Sequence, residues 1–475
     1  MNPSERLLYD YFEEYALECG CDTFLFDENV SYTVGQAFAA AQGLARQLQR
    51  KGIKSGDFIA VKAERTIRTI LIFYAVQFIG AVAVMHDPRE NINDKIRIVD
   101  DKLYSGETET TLIFDEGKEE RLQTAATSKA TSAVIFTSGS TGEKKAVCLS
   151  QYNFINNSLD TLSIGGYRED DVNILIVPIH HVFGLALIIT AVVARHGIFV
   201  PRFVETEYIV ECMIKYNVTR LNGVPSLYLA LAESARAEKI KSLCCGLIGG
   251  APWNMEQFRK IERKLGITLV PVYGMSECIG ISCGDYRDSV EKRCGSVGRV
   301  YSMNELKIES DGEILVKSPA MSAGYVGCGA AVDSDGWLHT GDLGYLDKEG
   351  YLHIEGRKKD IIIRNGNNIS AVKIESALLE LPYVKDAAVI AAYDESAGEI
   401  PCAMVVLNTG EKRSEREILR DLTKSLTKIE IPSEIKFAQE LPLTSTGKTD
   451  KERIKRVFSE RGEGTQREKK EMSTI

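Results

Sequence analysis

Short apolar runs alternate with helical stretches through the middle of the chain, and this alternation is the strongest constraint on its fold. The runs are Ser132–Phe136, Asn173–Val177, Thr219–Leu221 and Thr268–Val272. Strands that are joined through helices pair in parallel and are covered on both faces, so they appear in a sequence as nearly continuous apolar runs. The pattern predicts mostly parallel sheets covered by helices, with one α/β block over about residues 131–290.

The pattern of apolar residues and glycines differs on either side of this block. Residues 1–130 have mixed α/β character, with a helical pattern over Thr33–Gly52 and a short strand at Phe58–Lys62. Over Gly295–Arg357 glycines are frequent and short strands alternate, which is typical of β-structure, and Asp347–Gly350 is predicted to be a hairpin turn between two of the strands. With 475 residues and about 150 residues per domain, the chain has room for about three units.

After Arg357 the sequence pattern changes to that of a compact α+β unit. Ile361–Ile363 is strand-like and Ser370–Leu381 is helical. Ser414–Glu417 has the spacing of a capping box that opens a further helix. The stretch is long enough for a core of its own.

The predicted fold class is therefore α/β, with two domains. A large N-terminal domain at residues 1–358 comprises two helix-covered α/β sheet subdomains and a β-rich subdomain. A small α+β domain follows at residues 359–475, and its polar end from about residue 459 is expected to be a disordered tail.

The charge balance narrows the choice of partners. Lys and Arg number 58 and Asp and Glu number 67, which gives a net charge of −9. A mildly acidic chain lacks the basic face that sequence-independent nucleic-acid binding needs. We expect no nucleic-acid partner, whereas a local basic pocket for a small anion stays compatible with the composition.

Targeting and cysteine signals predict a cytoplasmic protein. The charged first twenty residues lack the apolar core of a secretory signal. The most apolar run, Ile70–Met85, is shorter than the ~20 residues of a spanning helix and is interpreted as a buried helix that leads into a strand, so we expect no integral membrane association. The 11 cysteines lack zinc-ligand spacing, and we expect reduced thiols.

A loop rich in Gly, Ser and Thr is the first feature that carries chemistry. Thr137–Lys145 follows the apolar strand Ala133–Phe136, and such a loop presents backbone N–H groups and hydroxyls to phosphate oxygens while Lys145 adds charge. The Walker A spacing is absent, and the apolar segment Ala146–Leu149 continues as a strand where a P-loop would open a helix. An ATP hydrolase of the P-loop type is therefore disfavoured.

The loop resembles the phosphate-loop signature of the adenylate-forming superfamily, which includes acyl- and aryl-CoA ligases, adenylation domains of peptide synthetases and firefly luciferase. Stretches similar to further motifs of that superfamily follow in order: Pro178–Gly184, Gly249–Pro252, Tyr273–Glu277, Thr340–Asp342, Gly356–Asp360 and Pro442–Lys448. The resemblance implies ATP-dependent activation of a carboxylic acid to acyl-AMP, with release of pyrophosphate, and then transfer of the acyl group to a thiol.

The resemblance also implies a nucleotide site. Its members are Thr137, Ser138, Gly139, Ser140, Thr141, Gly142, Lys145, Gly249, Gly250, Ala251, Tyr273, Gly274, Ser276, Asp342 and Arg357. The loop residues would hold the β- and γ-phosphates, and Tyr273 would lie against adenine. Asp342 would accept the ribose hydroxyls, Ser276 would lie near the α-phosphate, and Arg357 would contact ribose or phosphate. Glu277 would ligate Mg²⁺.

Three further residues carry implied roles in the reaction. Lys448 would bridge the attacking carboxylate and the α-phosphate. Lys359 would be the hinge about which a mobile C-terminal domain rotates between the two steps. His181 would line the acid pocket as a catalytic-site residue, although a core histidine is the alternative at this position.

Departures from the family pattern concern the acid and the acceptor. Ala371 and Lys373 replace a Pro and a Glu in the region that shapes the thiol channel, so the acceptor is coenzyme A or, alternatively, the phosphopantetheine arm of a carrier protein. The stretch His180–Ile189 lacks the acidic residue that would hold an amino-acid ammonium. An aryl or a short- or medium-chain acid is expected, and an o-succinylbenzoate-type acid stays open. A non-catalytic relative is disfavoured because Glu277 and Lys448 are both present.

Overall fold

A computed structural model describes residues 2–114, 122–138, 144–329, 331–443 and 449–459. The helices are α1 Leu8–Cys19, α2 Val34–Arg50, α3 Ile67–Ile79, α4 Gln151–Ile164, α5 Val182–Ala194, α6 Thr206–Lys215, α7 Pro225–Glu233, α8 Met255–Leu265, α9 Val290–Gly295, α10 Ala371–Leu379, α11 Glu415–Leu422 and α12 at residues 451–459.

The strands fall into four sheets. They are β1 Thr23–Phe26, β2 Ser31–Thr33, β3 Phe58–Lys62, β4 Val82–His86, β5 Ile96–Val99, β6 Lys102–Ser105, β7 Thr108–Thr111, β8 Thr131–Ser138, β9 Lys144–Ser150, β10 Val172–Ile174, β11 Gly197–Phe199, β12 Arg220–Leu221, β13 Cys245–Gly249, β14 Thr268–Met275, β15 Cys278–Cys283, β16 Arg299–Val300, β17 Glu305–Ile308, β18 Glu313–Lys317, β19 Gly324–Tyr325, β20 Leu338–Leu346, β21 Leu352–Arg357, β22 Ile361–Arg364, β23 Asn367–Ser370, β24 Val384–Asp394, β25 Gly398–Leu407 and β26 Glu434–Ala438.

Local signals set the first helices where the sequence predicts them. Thr33 caps α2, because its Oγ1 accepts from the Gln36 backbone N–H at 3.2 Å while the Gln36 side chain accepts from the Thr33 N–H at 2.9 Å. The predicted buried helix and strand within Ile70–Met85 are confirmed as α3 and β4, separated by Gly80 in the left-handed conformation. Within the described residues, no helix combines the length and apolarity needed to cross a bilayer.

The two large sheets are parallel at their centres, as the alternation predicts. The first has eight strands in the order β19-β9-β8-β4-β3-β5-β6-β7, and the second has nine in the order β16-β15-β14-β13-β12-β10-β11-β1-β2. Neighbours among β3, β4, β5 and β8 pair in parallel, as do β1 with β11 and β10 through β14. Antiparallel strands close the edges.

The predicted block at residues 131–290 is not one sheet. Strands β8 and β9 belong to the first sheet, beside β4, whereas β1 leaves the N-terminal region and pairs with β11 of the second sheet through Leu25 and Ile198. Helices of both regions fill the space between the sheets, and their apolar side chains share one hydrophobic cluster with residues of both. Strand neighbours that lie far apart in sequence leave no local signal, so the boundary between the predicted blocks does not mark the boundary between the two sheets.

The β-rich segment forms the third sheet, in the antiparallel order β17-β18-β20-β21. Its predicted turn at Asp347–Gly350 is confirmed, with the Gly350 N–H donating to the Asp347 carbonyl at 3.0 Å and a φ of 83° at Gly350.

The remaining strands form a five-stranded sheet in which α10 and α11 contribute to the core. The predicted cap of α11 is found, since Ser414 accepts from the Glu417 N–H. Ser370, where the predicted helical stretch begins, caps α10 by accepting from the Lys373 N–H. The division after residue 358 stays a prediction, and residues 460–475, where a tail is predicted, lie outside the described residues.

Candidate active site

Several of the predicted motifs lie where parallel strands of the two large sheets end. Thr137 and Ser138 are the last residues of β8, and Gly249 is the last residue of β13. Lys145 was expected in the loop but lies in β9, where it pairs with Thr137. Of the predicted phosphate-binding residues, Gly139, Ser140, Thr141 and Gly142 lie outside the described residues. The carboxyl ends of parallel strands are the usual place for ligands in α/β folds.

Asp342 is the centre of one polar cluster. Its Oδ2 accepts from the Tyr273 hydroxyl at 2.7 Å and its Oδ1 accepts from Arg357 Nε at 2.7 Å, and the side chain is almost fully buried. Burial, followed by the charge of Asp342, holds the pKa of Tyr273 well above its usual value. Burial alone would lower the pKa of Arg357, but the charge of Asp342 raises it overall. Three predicted nucleotide-binding residues are therefore in direct contact.

An irregularity in the pairing of strand β20 with β18 presents the Asp342 carboxylate. Gly341 has a φ of 69°, which favours glycine, and Thr340 Oγ1 accepts from the Asp342 N–H at 3.1 Å. The buried Glu313, which the sequence analysis missed, accepts from the Gly341 N–H at 3.1 Å. Lys358 donates to the same Glu313 at 2.9 Å. This part of β20 is thus fixed from strand β18 and from the segment that follows β21.

Glu277 is the centre of a second cluster. Its Oε1 accepts from the Tyr325 hydroxyl at 2.9 Å, and Lys145 Nζ lies 5.2 Å from the centre of the Tyr325 ring. Burial, with the neighbouring Glu277 charge, raises the pKa of Tyr325 to about 12. No sequence motif marks Tyr325, which follows Gly324 in the two-residue strand β19.

The donor set at Glu277 suits a magnesium ion that arrives with phosphate. Among the described residues, no group of three or more His, Cys, Asp or Glu side chains could hold a metal, so a protein-only site for zinc is absent there. Mg²⁺ in nucleotide sites is held by one or two carboxylates, with phosphate oxygens and water completing its shell. A single half-buried carboxylate at the end of β14 fits that role.

The glycines near Tyr273 allow strands to approach closely. A Cβ on Gly249 would lie 2.7 Å from the Val272 carbonyl oxygen, and one on Gly274 would lie 2.2 Å from the Ile279 carbonyl oxygen. Gly250 has a φ of 81°. Ala251 and Ser276 are half-buried beside them in the chain. Backbone packing therefore requires glycine at positions 249 and 274, in addition to any requirement that a ligand imposes.

Two adjacent histidines lie at the start of α5. His181 occupies the N-cap position, and its ring centre is 4.3 Å from that of His180. His180 Nε2 lies 3.8 Å from an Asp87 carboxylate oxygen, and burial lowers the pKa of His180. Close packing of this turn requires Gly184, where a Cβ would lie 2.2 Å from the Pro178 carbonyl oxygen.

Two residues of strand β15, which follows Glu277, have fully buried side chains. Cys278 and Ile281 are completely buried in a hydrophobic cluster with Ile314 and Val316. These two side chains therefore belong to the core between the second and third sheets.

Of the predicted hinge Lys359 and the predicted catalytic lysine Lys448, only Lys359 lies within the described residues. Lys359 is exposed, whereas the preceding Lys358 forms ion pairs with Asp311 at 2.7 Å and Glu313 at 2.9 Å. Lys448 lies outside the described residues, between Leu443 and Thr449, which form an isolated antiparallel bridge.

Comparison with known proteins identifies the family. A model of the AMP-binding enzyme family matches residues 12–94 and 91–326, and a model of the AMP-binding enzyme C-terminal domain matches residues 373–448. The chain is 30% identical over 470 residues to the 2-succinylbenzoate--CoA ligase of Bacillus cereus (strain Q1), which covers 91% of this chain and 95% of that protein. The ligase of the same name from Bacillus mycoides (strain KBAB4) is 30% identical over 461 residues, covering 91% and 95%.

Solved structures agree with this assignment. The o-succinylbenzoate CoA synthetase from Bacillus subtilis, in complex with the acyl-adenylate intermediate OSB-AMP, matches with a TM-score of 0.78 at 25% identity, over 94% of this chain and 97% of that one. The anthranilate CoA ligase AuaEII, in complex with anthranoyl-AMP, shares the fold with a TM-score of 0.84 at 20% identity, over 96% and 98%. The chain belongs to the AMP-binding enzyme family of the adenylate-forming superfamily and is an acid–thiol ligase of the AMP-forming acyl-CoA synthetase type.

Proposed function

We propose that the enzyme activates an aryl carboxylic acid of the 2-succinylbenzoate type with ATP and transfers the acyl group to coenzyme A. The observation that carries the proposal is the arrangement around the end of β14, where Tyr273 contacts Asp342 and Glu277 contacts Tyr325. In this proposal Asp342 is the carboxylate that binds ribose and Glu277 is the carboxylate that binds a metal. The named relatives, which align over 91% of the chain, support the aryl acid and the coenzyme A acceptor.

The nucleoside is proposed to bind at Asp342. Each carboxylate oxygen has two lone pairs, so the bonds from Tyr273 and Arg357 leave acceptor capacity for the two ribose hydroxyls. A carboxylate holds two adjacent hydroxyls more strongly than an amide does, because both bonds are charge-assisted. Gly249, Gly250, Ala251 and Gly274 supply the backbone next to Tyr273, where the adenine ring is proposed to lie.

The triphosphate is proposed to lie between Lys145 and Glu277. The loop residues Thr137, Ser138, Gly139, Ser140, Thr141 and Gly142 are proposed to donate to the β- and γ-phosphates, with Lys145 adding positive charge. Ser276 is proposed to donate to the α-phosphate. A Mg²⁺ ion bound at Glu277 would neutralise phosphate charge and so lower the repulsion that an incoming carboxylate meets.

The acid needs orientation and charge compensation rather than deprotonation. A carboxylic acid is already ionised at neutral pH, so we assign His181 to holding the acid and not to general base catalysis. One carboxylate oxygen forms a bond to the α-phosphorus, and the bond from that phosphorus to the bridging oxygen breaks, so that pyrophosphate leaves with the electron pair. Lys448 is proposed to stabilise the charge that builds up between the two anions.

The second half-reaction exchanges AMP for a thiol. The sulfur attacks the acyl carbon, the bond to the AMP oxygen breaks, and the thiol proton passes to solvent. Lys359, exposed and next to the paired Lys358, is the proposed hinge about which the domain at residues 359–475 turns between the two steps. Coenzyme A is the acceptor in the names of the relatives above, and a carrier-protein arm is the alternative that the test below includes.

The choice of acid rests on chemistry as well as on the relatives. The stretch His180–Ile189 contains no Asp or Glu to pair with an amino-acid ammonium. The rings of His180 and His181 offer nitrogen donors and flat apolar faces at the same place. An aromatic acid with additional oxygen atoms suits such a surface better than a plain alkyl chain does.

Pyrophosphate exchange tests this proposal. Labelled pyrophosphate should enter ATP only when a carboxylic acid is added, and 2-succinylbenzoate should support faster exchange than benzoate, octanoate or malonate. Coenzyme A should then yield the thioester, whereas a holo carrier protein should not. Exchange that is independent of added acid would exclude the proposed activity, and preference for octanoate or malonate would exclude the proposed acid.

A further inference from the structure

The short segment Ala320–Tyr325 connects the two large sheets at the candidate site. Ile279 N–H donates to the Ala320 carbonyl at 3.2 Å, and Ser322 N–H donates to the Glu277 carbonyl at 2.8 Å, which ties the segment to the strand pair that carries Glu277. Gly324 and Tyr325 then pair with β9 as the strand β19. Glu277 follows β14 of the nine-stranded sheet, whereas Lys145 lies in β9 of the eight-stranded sheet.

The Tyr325 side chain makes the same connection. Its hydroxyl donates to Glu277 Oε1 at 2.9 Å, and its ring centre is 5.2 Å from Lys145 Nζ. The backbone on both sides of it is fixed, because Tyr325 pairs with Val147 and the next N–H donates to the Ala146 carbonyl at 2.9 Å. A single side chain on a rigid strand therefore contacts the carboxylate of one sheet and the ammonium of the other.

We propose that Tyr325 is a positioning residue that orients Glu277 toward the metal of the nucleotide complex and keeps Lys145 on the phosphate side. The inference rests on the proposed function, in which Glu277 ligates Mg²⁺. A hydrogen bond to one carboxylate oxygen fixes the rotation of the carboxylate and leaves the other oxygen for the metal. Outer groups that orient a metal ligand in this way typically change metal affinity or activity by about 10–100-fold when they are removed.

The two contacts of Tyr325 can be separated by substitution. Tyr325→Phe removes the hydroxyl that reaches Glu277 and keeps the ring beside Lys145. Tyr325→Leu removes both the hydroxyl and the ring, and with the ring a cation–π contact with the Lys145 ammonium. Metal binding should therefore fall in both variants, whereas the additional loss of nucleotide affinity should appear only with Leu.

Binding of Mn²⁺, used as the probe in place of Mg²⁺, measures the first effect without catalysis. In the presence of saturating ATP, Mn²⁺ bound to the full-length enzyme is counted by electron paramagnetic resonance. Tyr325→Phe should raise the dissociation constant of Mn²⁺ about tenfold. Tyr393→Phe, at a tyrosine that is 82% exposed, is the matched control and should leave the constant unchanged.

A double substitution tests whether Tyr325 acts through Glu277. If it does, adding Tyr325→Phe to Glu277→Ala should change Mn²⁺ affinity no further, because the group that it orients is gone. Thermal unfolding of Tyr325→Phe should match that of the wild type, since the half-buried ring is retained. ATP affinity, measured by calorimetry without metal, should fall for Tyr325→Leu and stay the same for Tyr325→Phe.

Two results would overturn the inference. One is an unchanged Mn²⁺ dissociation constant in Tyr325→Phe, and the other is an equal further loss in the Glu277→Ala background. Both are distinguishable from failure of the proposed function, which would appear as wild-type enzyme that shows no acid-dependent pyrophosphate exchange, or as Glu277→Ala that binds Mn²⁺ normally.

Discussion

Arg357 and Asp342 face each other across neighbouring strands and are joined by a 2.7 Å bond from Nε to Oδ1. Arg357 ends β21, two residues before the proposed hinge Lys359. The carboxylate proposed to hold ribose is therefore in direct contact with the last strand residue before the C-terminal unit. Nucleotide binding at Asp342 and movement about Lys359 would share this arginine.

Asp342→Asn should weaken nucleotide binding. The substitution keeps the shape of the side chain but removes the charge that accepts from Tyr273, from Arg357 and from the ribose hydroxyls. Loss of a charged hydrogen-bonding partner costs about 1.5–3 kcal/mol, so the KM for ATP should rise tenfold or more. Steady-state kinetics with varied ATP measure the change. The exposed Asp335→Asn is the control, and an unchanged KM in Asp342→Asn would contradict the ribose assignment.

Lys448→Ala should separate the two half-reactions. Without the lysine, acid-dependent pyrophosphate exchange should fall about 100-fold or more, the size of effect seen when one charge-stabilising group is lost from an active site. Thioester formation from supplied acyl-AMP should stay within a few-fold of wild type, because no carboxylate then approaches the α-phosphorus for the lysine to bridge. Lys455→Ala, at an exposed lysine paired with Glu452, serves as the control. Equal losses in both half-reactions would argue against the assigned role.

A buried ion pair at the opposite end of the second sheet predicts a stability effect. Arg220 is fully buried, with Nε 3.2 Å from Asp171 Oδ2 and its guanidinium 3.6 Å from the centre of the Tyr167 ring. Asp171→Asn leaves this charge without its partner, which typically costs about 3–5 kcal/mol. The thermal unfolding temperature should fall by several degrees. Glu291→Gln, which breaks the exposed ion pair with Arg259, is the control and should change the unfolding temperature little. Equal changes in the two variants would show that burial of the ion pair is not the cause of the destabilisation.

His196 predicts an acid-sensitive core. The ring is fully buried against Tyr167, at a centroid distance of 5.5 Å, and burial lowers the pKa of His196 to about 4. An unfolded histidine titrates near 6.5. Between these values the unfolded chain binds a proton that the folded chain does not, so the free energy of unfolding decreases as the pH falls from about 6.5 toward 4.

Urea unfolding at a series of pH values checks this effect. By pH 4 the wild type should have lost about 3 kcal/mol through this group, and His196→Phe should lack that part of the loss. His339→Phe is the control. The pKa of His339 is raised, chiefly by its bond to Glu313, so its stabilising contribution is lost as the pH rises, and its removal should not protect the protein at low pH. Parallel pH curves for wild type and His196→Phe would contradict the prediction.

Local elements of the fold could be predicted from the sequence because their signals are local. The Thr33 cap set the start of α2, the apolar run at Phe58–Lys62 became β3 unchanged, and the Asp347–Gly350 turn closed its hairpin. Sheet membership could not be predicted, because β1 and β11 pair across a long separation in sequence. Their pairing depends on packing of the intervening helices, which leaves no periodic pattern at either strand.

The residues of the candidate site could also be predicted only in part. Family-like motifs named Tyr273, Asp342 and Arg357, and the structure brings these three into contact. Tyr325 and Glu313 could not be predicted because they act on residues that lie 48 and 28 positions away in the chain. The partner of Tyr325 follows a strand of another sheet, and the partner of Glu313 lies in a neighbouring strand. A residue whose effect depends on such a distant partner has no motif of its own.

Transfer of an oxygen label tests the central claim most directly. The acid that best supports exchange is prepared with ¹⁸O in its carboxylate and incubated with the enzyme, ATP, Mg²⁺ and coenzyme A, and the products are examined by mass spectrometry. If the carboxylate attacks the α-phosphorus, each AMP formed should carry one ¹⁸O atom and the pyrophosphate should carry none. Unlabelled AMP, or formation of ADP with the label in inorganic phosphate, would contradict the acyl-adenylate route.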